Sequence, residues 1–155
     1  MKVKYMMKME NQISITGTIT IELRDQYGQL KERRHITNVV TNTGKQLIID
    51  RLQGPTPAVA DYVAIGTGAT AAASADTALQ TEVARAQGTL SQPDAYTDRC
   101  VYTFAAGTGT GNITEAGRLN AAAAGTLVGR QTFTAVNKTA SDSLQITYDF
   151  TYAAT

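Results

Sequence analysis

Two stretches near the ends of the chain constrain it more than anything between them. In the first, Ile13, Ile15, Ile19, Ile21 and Leu23 share one parity while Ser14, Thr16, Thr18, Thr20, Glu22 and Arg24 share the other. In the second, Leu144, Ile146, Tyr148, Phe150 and Tyr152 alternate with Ser143, Gln145, Thr147, Asp149 and Thr151. A period of two places every apolar side chain on one face of an extended strand, so each stretch is a strand with one face to bury. Gly17 interrupts the first apolar row and predicts a bend or bulge.

The remaining patterns repeat this theme. Asp25, Gln26, Tyr27 and Gly28 form a turn signal, and Leu30 to Ile36 returns as the second arm of a hairpin with charged outer positions. Cys100, Tyr102 and Phe104 lie on one face of a strand that stops at Gly107, Thr108, Gly109, Thr110 and Gly111, a run that predicts a hairpin tip. Thr126 to Phe133 is a further strand. Only one stretch has helical spacing: Leu47, Ile48 and Leu52 follow the capping residues Thr41, Asn42 and Thr43 and precede Gly54, Pro55 and Pro57, which predicts an amphipathic helix over about 44–53. A parallel α/β sheet needs a helix after nearly every strand, so the expected fold is mainly β, an antiparallel β-sandwich with one short helix. At 155 residues, 43% of them apolar, the chain suits one domain over 13–155, preceded by a basic, aperiodic arm over 1–12.

Tyr62 to Arg85 is the most distinctive interior run. Tyr62, Val63, Ala64 and Ile65 form a short apolar strand, central in the sheet, that ends at Gly66. Gly66, Thr67 and Gly68 open a loop of small residues reaching Ala75, with too little apolar area to make a core, so the loop must lie on something. Asp76 then predicts a short helical or tight turn to about Glu82, capping its exposed amides. Glu115, an isolated carboxylate in ITEAGRLN, is assigned a structural role: it accepts backbone amides or pairs with Arg118, Arg130 or Arg85.

Several function classes lose support on composition. A formal net charge of +1 and 17% charged residues give no broad field for a polyanion, which argues against nucleic acid as the partner. One cysteine, Cys100, makes neither a disulfide framework nor a cysteine-rich zinc site. Met1 to Glu10 lacks a secretory apolar core, and no 18-residue apolar run predicts a membrane span. His35 sits in a charged strand and is read as exposed rather than as a base or ligand. Gly44-Lys45 fails as a phosphate loop because Gln46 replaces the hydroxyl residue and Val39 the first glycine. Asp61, Asp76, Asp94 and Asp98 lack the spacing of a calcium loop. No catalytic set, cofactor site or metal site emerges, and the chain is read as a non-enzymatic binder. A carbohydrate-binding module is the remote alternative, on the strength of seven tyrosines but against the absence of tryptophan.

The ordered set ELRDQYGQLKE, NVVTNTGKQLIIDRL, YVAIGTGATAAASADTALQTEVAR, ITEAGRLNAAAAGTLVGRQTF and VNKTASDSLQITYDF resembles a group of small virion proteins of tailed bacteriophages, including the attachment domain at the virion end of some tail fibres. The resemblance spans about 13–150. It departs at Arg118 and Leu119, which stand where the group has an aliphatic–aromatic pair in an ExGLF-like turn. It implies a place on the virion surface after synthesis in the host cytoplasm, either as capsid decoration bound to the major capsid protein or at the neck, tail or fibre base. Decoration is favoured because only Ala153, Ala154 and Thr155 follow the last strand, with no shaft or tip. It further implies a homotrimer. The expected contact residues are Gly66, Thr67, Gly68, Ala69, Thr70 and Ala71 of the small-residue loop, Arg118, and Met1, Lys2 and Lys4 of the arm, which is expected to order on a neighbouring subunit. Glu115, Arg85 and Asp76 are expected to be structural.

Overall fold

The computed structural model describes residues 13–154. Met1, Lys2, Lys4 and the rest of the expected arm lie outside them. Nine strands and one helix follow in order: β1 (Ile13–Arg24), β2 (Leu30–Val40), α1 (Asn42–Gln53), β3 (Tyr62–Gly66), β4 (Glu82–Gln87), β5 (Thr89–Asp94), β6 (Thr97–Phe104), β7 (Gly111–Leu119), β8 (Leu127–Lys138) and β9 (Ser143–Ala154). All pairings are antiparallel and form one sheet in the order β4-β3-β7-β8-β2-β1-β9-β6-β5.

The sheet is nearly closed into a barrel. Its two ends, β4 and β5, are successive in the chain and joined by Gly88 alone, so the backbone bridges the gap that hydrogen bonds leave open. Gly88 N donates to Asp61 O at 2.6 Å, which pins this crossing. On the far side, β2 is shared. Gly17 to Arg24 of β1 pairs with it up to Asn38, after which Val39 and Val40 turn to Arg130 and Gly129 of β8. The mainly β, antiparallel, one-helix architecture is thus present. The pairing defines one wrapped sheet rather than two separate layers.

The two alternating end segments are neighbours. β1 and β9 pair from Ile13 opposite Ala154 to Arg24 opposite Ser143, and their shared apolar face supplies Ile19, Ile21, Leu23, Leu144, Ile146, Tyr148 and Phe150 to the core. Gly17 makes no bulge: its pairing to Phe150 is regular. It is needed because the Asn38 side chain fills the space a Cβ would occupy, and Gly129 is bare for the same reason on the other side of Asn38. These two glycines let the corner strand carry a polar side chain through the barrel wall.

Four further expectations change. The run Gly107 to Gly111 is not a hairpin tip, because β6 pairs with β5 and β9 while β7 pairs with β3 and β8; it crosses from one half of the barrel to the other. Gly107, Gly109 and Gly111 all take positive φ, which a crossover as readily as a hairpin demands. No helical turn follows Asp76; the turn lies before it, closed by Asp76 N donating to Ala73 O at 3.1 Å, and Glu82 already begins β4. β3 is covered on both faces yet lies next to the end strand β4 rather than in the middle of the order. Finally, Glu115 to Leu119 is the last part of β7, a strand and not a turn.

α1 begins two residues earlier than the spacing predicts. Thr41 is its N-cap, accepting from Gly44 N at 3.0 Å, and Leu47 is its buried contact with the barrel. Among the described residues no helix is long and apolar enough to cross a membrane. Gly44 rests on the backbone of Val128, where a Cβ would collide with the carbonyl. Gly44→Ala therefore sets a helix-propensity gain of about 1 kcal/mol against an overpacking cost of about 1–3 kcal/mol. The obstacle is backbone rather than a flexible side chain, so the cost wins. The urea midpoint should fall at unchanged slope; a midpoint at or above that of the parent would show that α1 lifts freely.

Candidate functional site

β7 changes face in its middle. Ile113 and Ala116 both point into the main core, although their spacing is odd, because the register with β8 shifts between Ile113 and Glu115. The shift turns Glu115, Gly117 and Leu119 to the outer face, which is what a bulge does to the side chains beyond it. On that face Leu119 packs with Ala64, Leu79 and Leu127 in a second small core, and the loop from Thr67 to Thr81 lies over it. Gly117 is bare because Leu79 sits where its Cβ would be.

Glu115 is fully buried beneath this loop and has four neighbours holding its two oxygens. Oε1 accepts from Gly68 N at 3.0 Å and Thr81 N at 2.7 Å; Oε2 accepts from Gln80 N at 3.0 Å and from Arg130 Nε at 2.8 Å. Arg130, equally hidden, continues outward, with Nη1 donating to Asp76 Oδ2 at 2.8 Å and Nη2 to Thr70 O at 3.1 Å. Gln80 completes the arrangement: its Oε1 accepts from Ala69 N and Thr70 N, both at 2.9 Å. Thr114 Oγ1 donates to Gly68 O at 2.8 Å, and Asn42 N at the start of α1 donates to Ser74 O at 2.8 Å. A loop that makes no core of its own is thus tied down at both its amides and its carbonyls.

Burial alone would push the Glu115 carboxyl up, but the Thr81, Gln80 and Gly68 amides together with Arg130 outweigh it and hold the group below the ordinary carboxylate range. Burial likewise works against the charge on Arg130, and its two carboxylate partners raise its pKa overall.

Among the residues expected at an interface, Thr67, Ala69, Thr70 and Ala71 are exposed, while Gly66 and Gly68 are buried under them. Arg118 is not a surface residue. It lies 2% exposed inside the barrel, its guanidinium 5.2 Å from the Phe150 ring centroid, with Nε donating to Ala60 O at 2.6 Å and Nη2 2.9 Å from Asp98 Oδ2. The aliphatic–aromatic pair of the resemblance is thus replaced by an arginine that uses Phe150 as its platform. Arg85 pairs with Glu82 and donates from Nη1 to Ala121 O at 2.9 Å and Ala124 O at 2.8 Å, bracing the connection before β8. Asp76 serves Arg130 and Ala73 N.

The other candidates are scattered. His35 faces Thr20 across the β1–β2 hairpin at 2.9 Å. Asp61 accepts from Gln87, Asp94 from Tyr96 N, and Asp98 pairs with Arg118, so the four aspartates have four separate partners. Burial pushes the Cys100 thiol up to about 11, which leaves it unreactive at neutral pH. At the opposite end of β8, the sequence reading missed Lys138, fully buried with Nζ donating to Ala105 O and Asp142 O, and Asp142, held at about 2 chiefly by Lys31 and by Thr139. Both lie in a polar tract that resembles an ordinary loop. Gln80 was also missed; its only signal is that the small-residue loop needs acceptors.

Comparison with protein-family models, curated proteins and solved structures finds no match to this chain. The phage resemblance accordingly stands on its motifs alone.

Removing one member of a buried pair leaves the other charged and unpartnered, at a cost of about 3–5 kcal/mol. Arg130→Met should therefore destabilise far more than Arg24→Met, because the Arg24 side chain is itself 41% exposed to water whereas that of Arg130 is 3% exposed. For Glu115 the sign with pH follows from its lowered folded-state pKa: the contribution is complete above the unfolded value of about 4.3 and is lost as pH falls through the folded one. Between about pH 6 and pH 3, the denaturant midpoint of the parent should fall more steeply than that of Glu115→Gln. Parallel pH profiles would refute the ionised, amide-held carboxylate.

Proposed function

We propose that this protein is a non-enzymatic structural protein of a tailed-bacteriophage virion, a decoration or cement protein that braces the head surface by contacting the major capsid protein. The observation that supports the reading is where the shared motifs meet. NVVTNTGK supplies Thr41 and Asn42, YVAIGTGATAAASADTALQTEVAR supplies Gly68, Asp76 and Gln80, and ITEAGRLNAAAAGTLVGRQTF supplies Glu115 and Arg130. Their polar groups are consumed by one another. What they hold outward is a rigid surface of small side chains, Thr67, Ala69, Thr70 and Ala71. Such side chains permit close backbone approach and lose little rotamer freedom on contact, which suits a subunit that repeats around a symmetry axis. A net charge of +1 suits dense packing on a lattice, where like charges would repel.

In this reading the loop from Gly66 to Ala75 is the contact of a symmetric trimer, and many weak contacts to neighbouring capsid subunits add through avidity. Quantitative gel analysis of purified particles should find hundreds of copies, comparable with the major capsid protein, and particles lacking the protein should release DNA at a lower temperature. A copy number in single or low double figures assigns the protein to the neck, tail or fibre base instead. Absence from purified particles refutes the virion reading altogether. Mass photometry of the isolated protein should show trimers; replacing Ala69 and Ala71 by lysine should shift them to monomers with the denaturation midpoint unchanged.

A further inference from the structure

α1 is seated on the barrel through its first half. Gly44 rests on the Val128 backbone and Leu47 is buried, but Leu52, in the last turn, is 80% exposed. Beside that turn a groove opens at the end of the barrel where β1 begins and β9 ends, with a cavity of about 470 Å3. Val59 of the connection before β3 and Leu90 of β5, each 39% exposed, continue its apolar lining, with Tyr152 of β9. A concave apolar site of a few hundred Å3 in the mouth of a β-barrel, with few polar groups, has the form of a small-molecule site.

The polar groups of the lining are already matched in charge. The Ala60 carbonyl, Asp98 and the Phe150 ring hold the buried Arg118 guanidinium, and all three residues line the groove with it. Asp98 takes Nη2, so the pair carries no net charge, while Nη1 has no hydrogen-bond partner. An unused donor on a buried guanidinium is costly, and a ligand oxygen would satisfy it. The Asp98 side chain, 44% exposed, keeps lone pairs beyond the one that Arg118 uses. Arg51, the remaining charged residue of the lining, is engaged by the carbonyls of Pro55 and Pro57. These charges select the head of a ligand. A carboxylate is drawn to Arg118 but set against Asp98, and an ammonium meets the reverse; a neutral head with one donor and one acceptor suits both partners.

We propose that the groove binds a small neutral amphipath, an alkyl chain bearing a hydroxyl or primary amide. The chain lies on Leu52, Val59 and Leu90, the head oxygen supplies the acceptor that Arg118 lacks, and the head O–H or N–H donates to Asp98. The proposal goes beyond the virion reading and does not depend on it.

NMR titration of the isotope-labelled full chain tests it with probes that share an eight-carbon chain and differ in the head: octanol, octanamide, octanoate and octylamine. At about pH 7 the acid is an anion and the amine a cation. Octanol and octanamide should give saturable shifts at the amides of Leu52, Val59, Leu90 and Asp98, and none around Tyr27 in the β1–β2 turn, with a Kd of about 1 mM or below. The charged probes should bind about tenfold more weakly. Equal affinity for all heads is adsorption to an apolar surface and overturns the proposal, as does saturation by none of them. Leu52→Asp, at an exposed position, should lose the octanol shifts; undiminished binding refutes the site. Asp98→Asn keeps an acceptor for Nη2 but leaves Arg118 an uncompensated cation, so octanoate should then bind at least as tightly as octanol. An unchanged ranking in that variant, with its spectrum still that of a folded protein, overturns the role given to the Arg118–Asp98 pair. Concentration-dependent shifts of the same amides without any probe, the mark of a second copy in the groove, overturn the proposal as well.

Discussion

The contact on which the distinctive half of this molecule depends is the buried pair of Glu115 and Arg130. A carboxylate and a guanidinium in a barrel wall are stable only if nearly every lone pair and proton is used, and here the remaining valences of Glu115 go to the amides of Gly68, Gln80 and Thr81 while those of Arg130 go to Asp76 and Thr70. One consequence is that fifteen residues of loop are ordered without a core of their own. Another is specificity. Moving the strand register between β7 and β8 by one residue would point Glu115 into the apolar interior, so the pair selects the one pairing that places it beneath the loop.

Closure of the barrel is the second constraint. A wrapped sheet has to turn corners, and this one does so with chain rather than with hydrogen bonds at Gly88, and with a shared strand at β2. Both corners use missing side chains: Gly88 admits Cys100 and Val101, while Gly17 and Gly129 admit Asn38. The result removes most of the unpaired strand edge that an open nine-stranded sheet would expose to aggregation.

The polar groups that sequence patterns bring to notice are therefore mostly structural. Glu115, Arg130, Asp76, Gln80 and Arg85 hold segments to one another, and Arg118 is stacked on Phe150 inside the barrel. The surfaces left free for recognition are of a different kind: small exposed side chains on the pinned loop, and apolar ones around the groove at the β1–β9 end.

The strands at both ends, the capped helix after Thr41 and the buried short strand before Gly66 were legible in the sequence, because each is specified by a local period or a local cap that neighbouring residues alone determine. The role of Glu115 was legible in kind, since an isolated carboxylate among small and apolar residues has few stable uses. Which arginine answers it was not, because Arg85, Arg118 and Arg130 are alike in sequence and only the face change at the β7–β8 register shift decides that Arg130 lies outside with Glu115 while Arg118 lies inside on Phe150. For the same reason the run from Gly107 to Gly111 read as a hairpin tip: glycines report that the backbone turns, and say nothing of which strand it turns toward. Strand order, barrel closure and the end-to-end partnership of β1 with β9 are properties of contacts between residues far apart in the chain, such as Phe104 with Leu144, Val39 with Arg130 and Ile13 with Ala154, and those are settled only when the apolar faces are buried together.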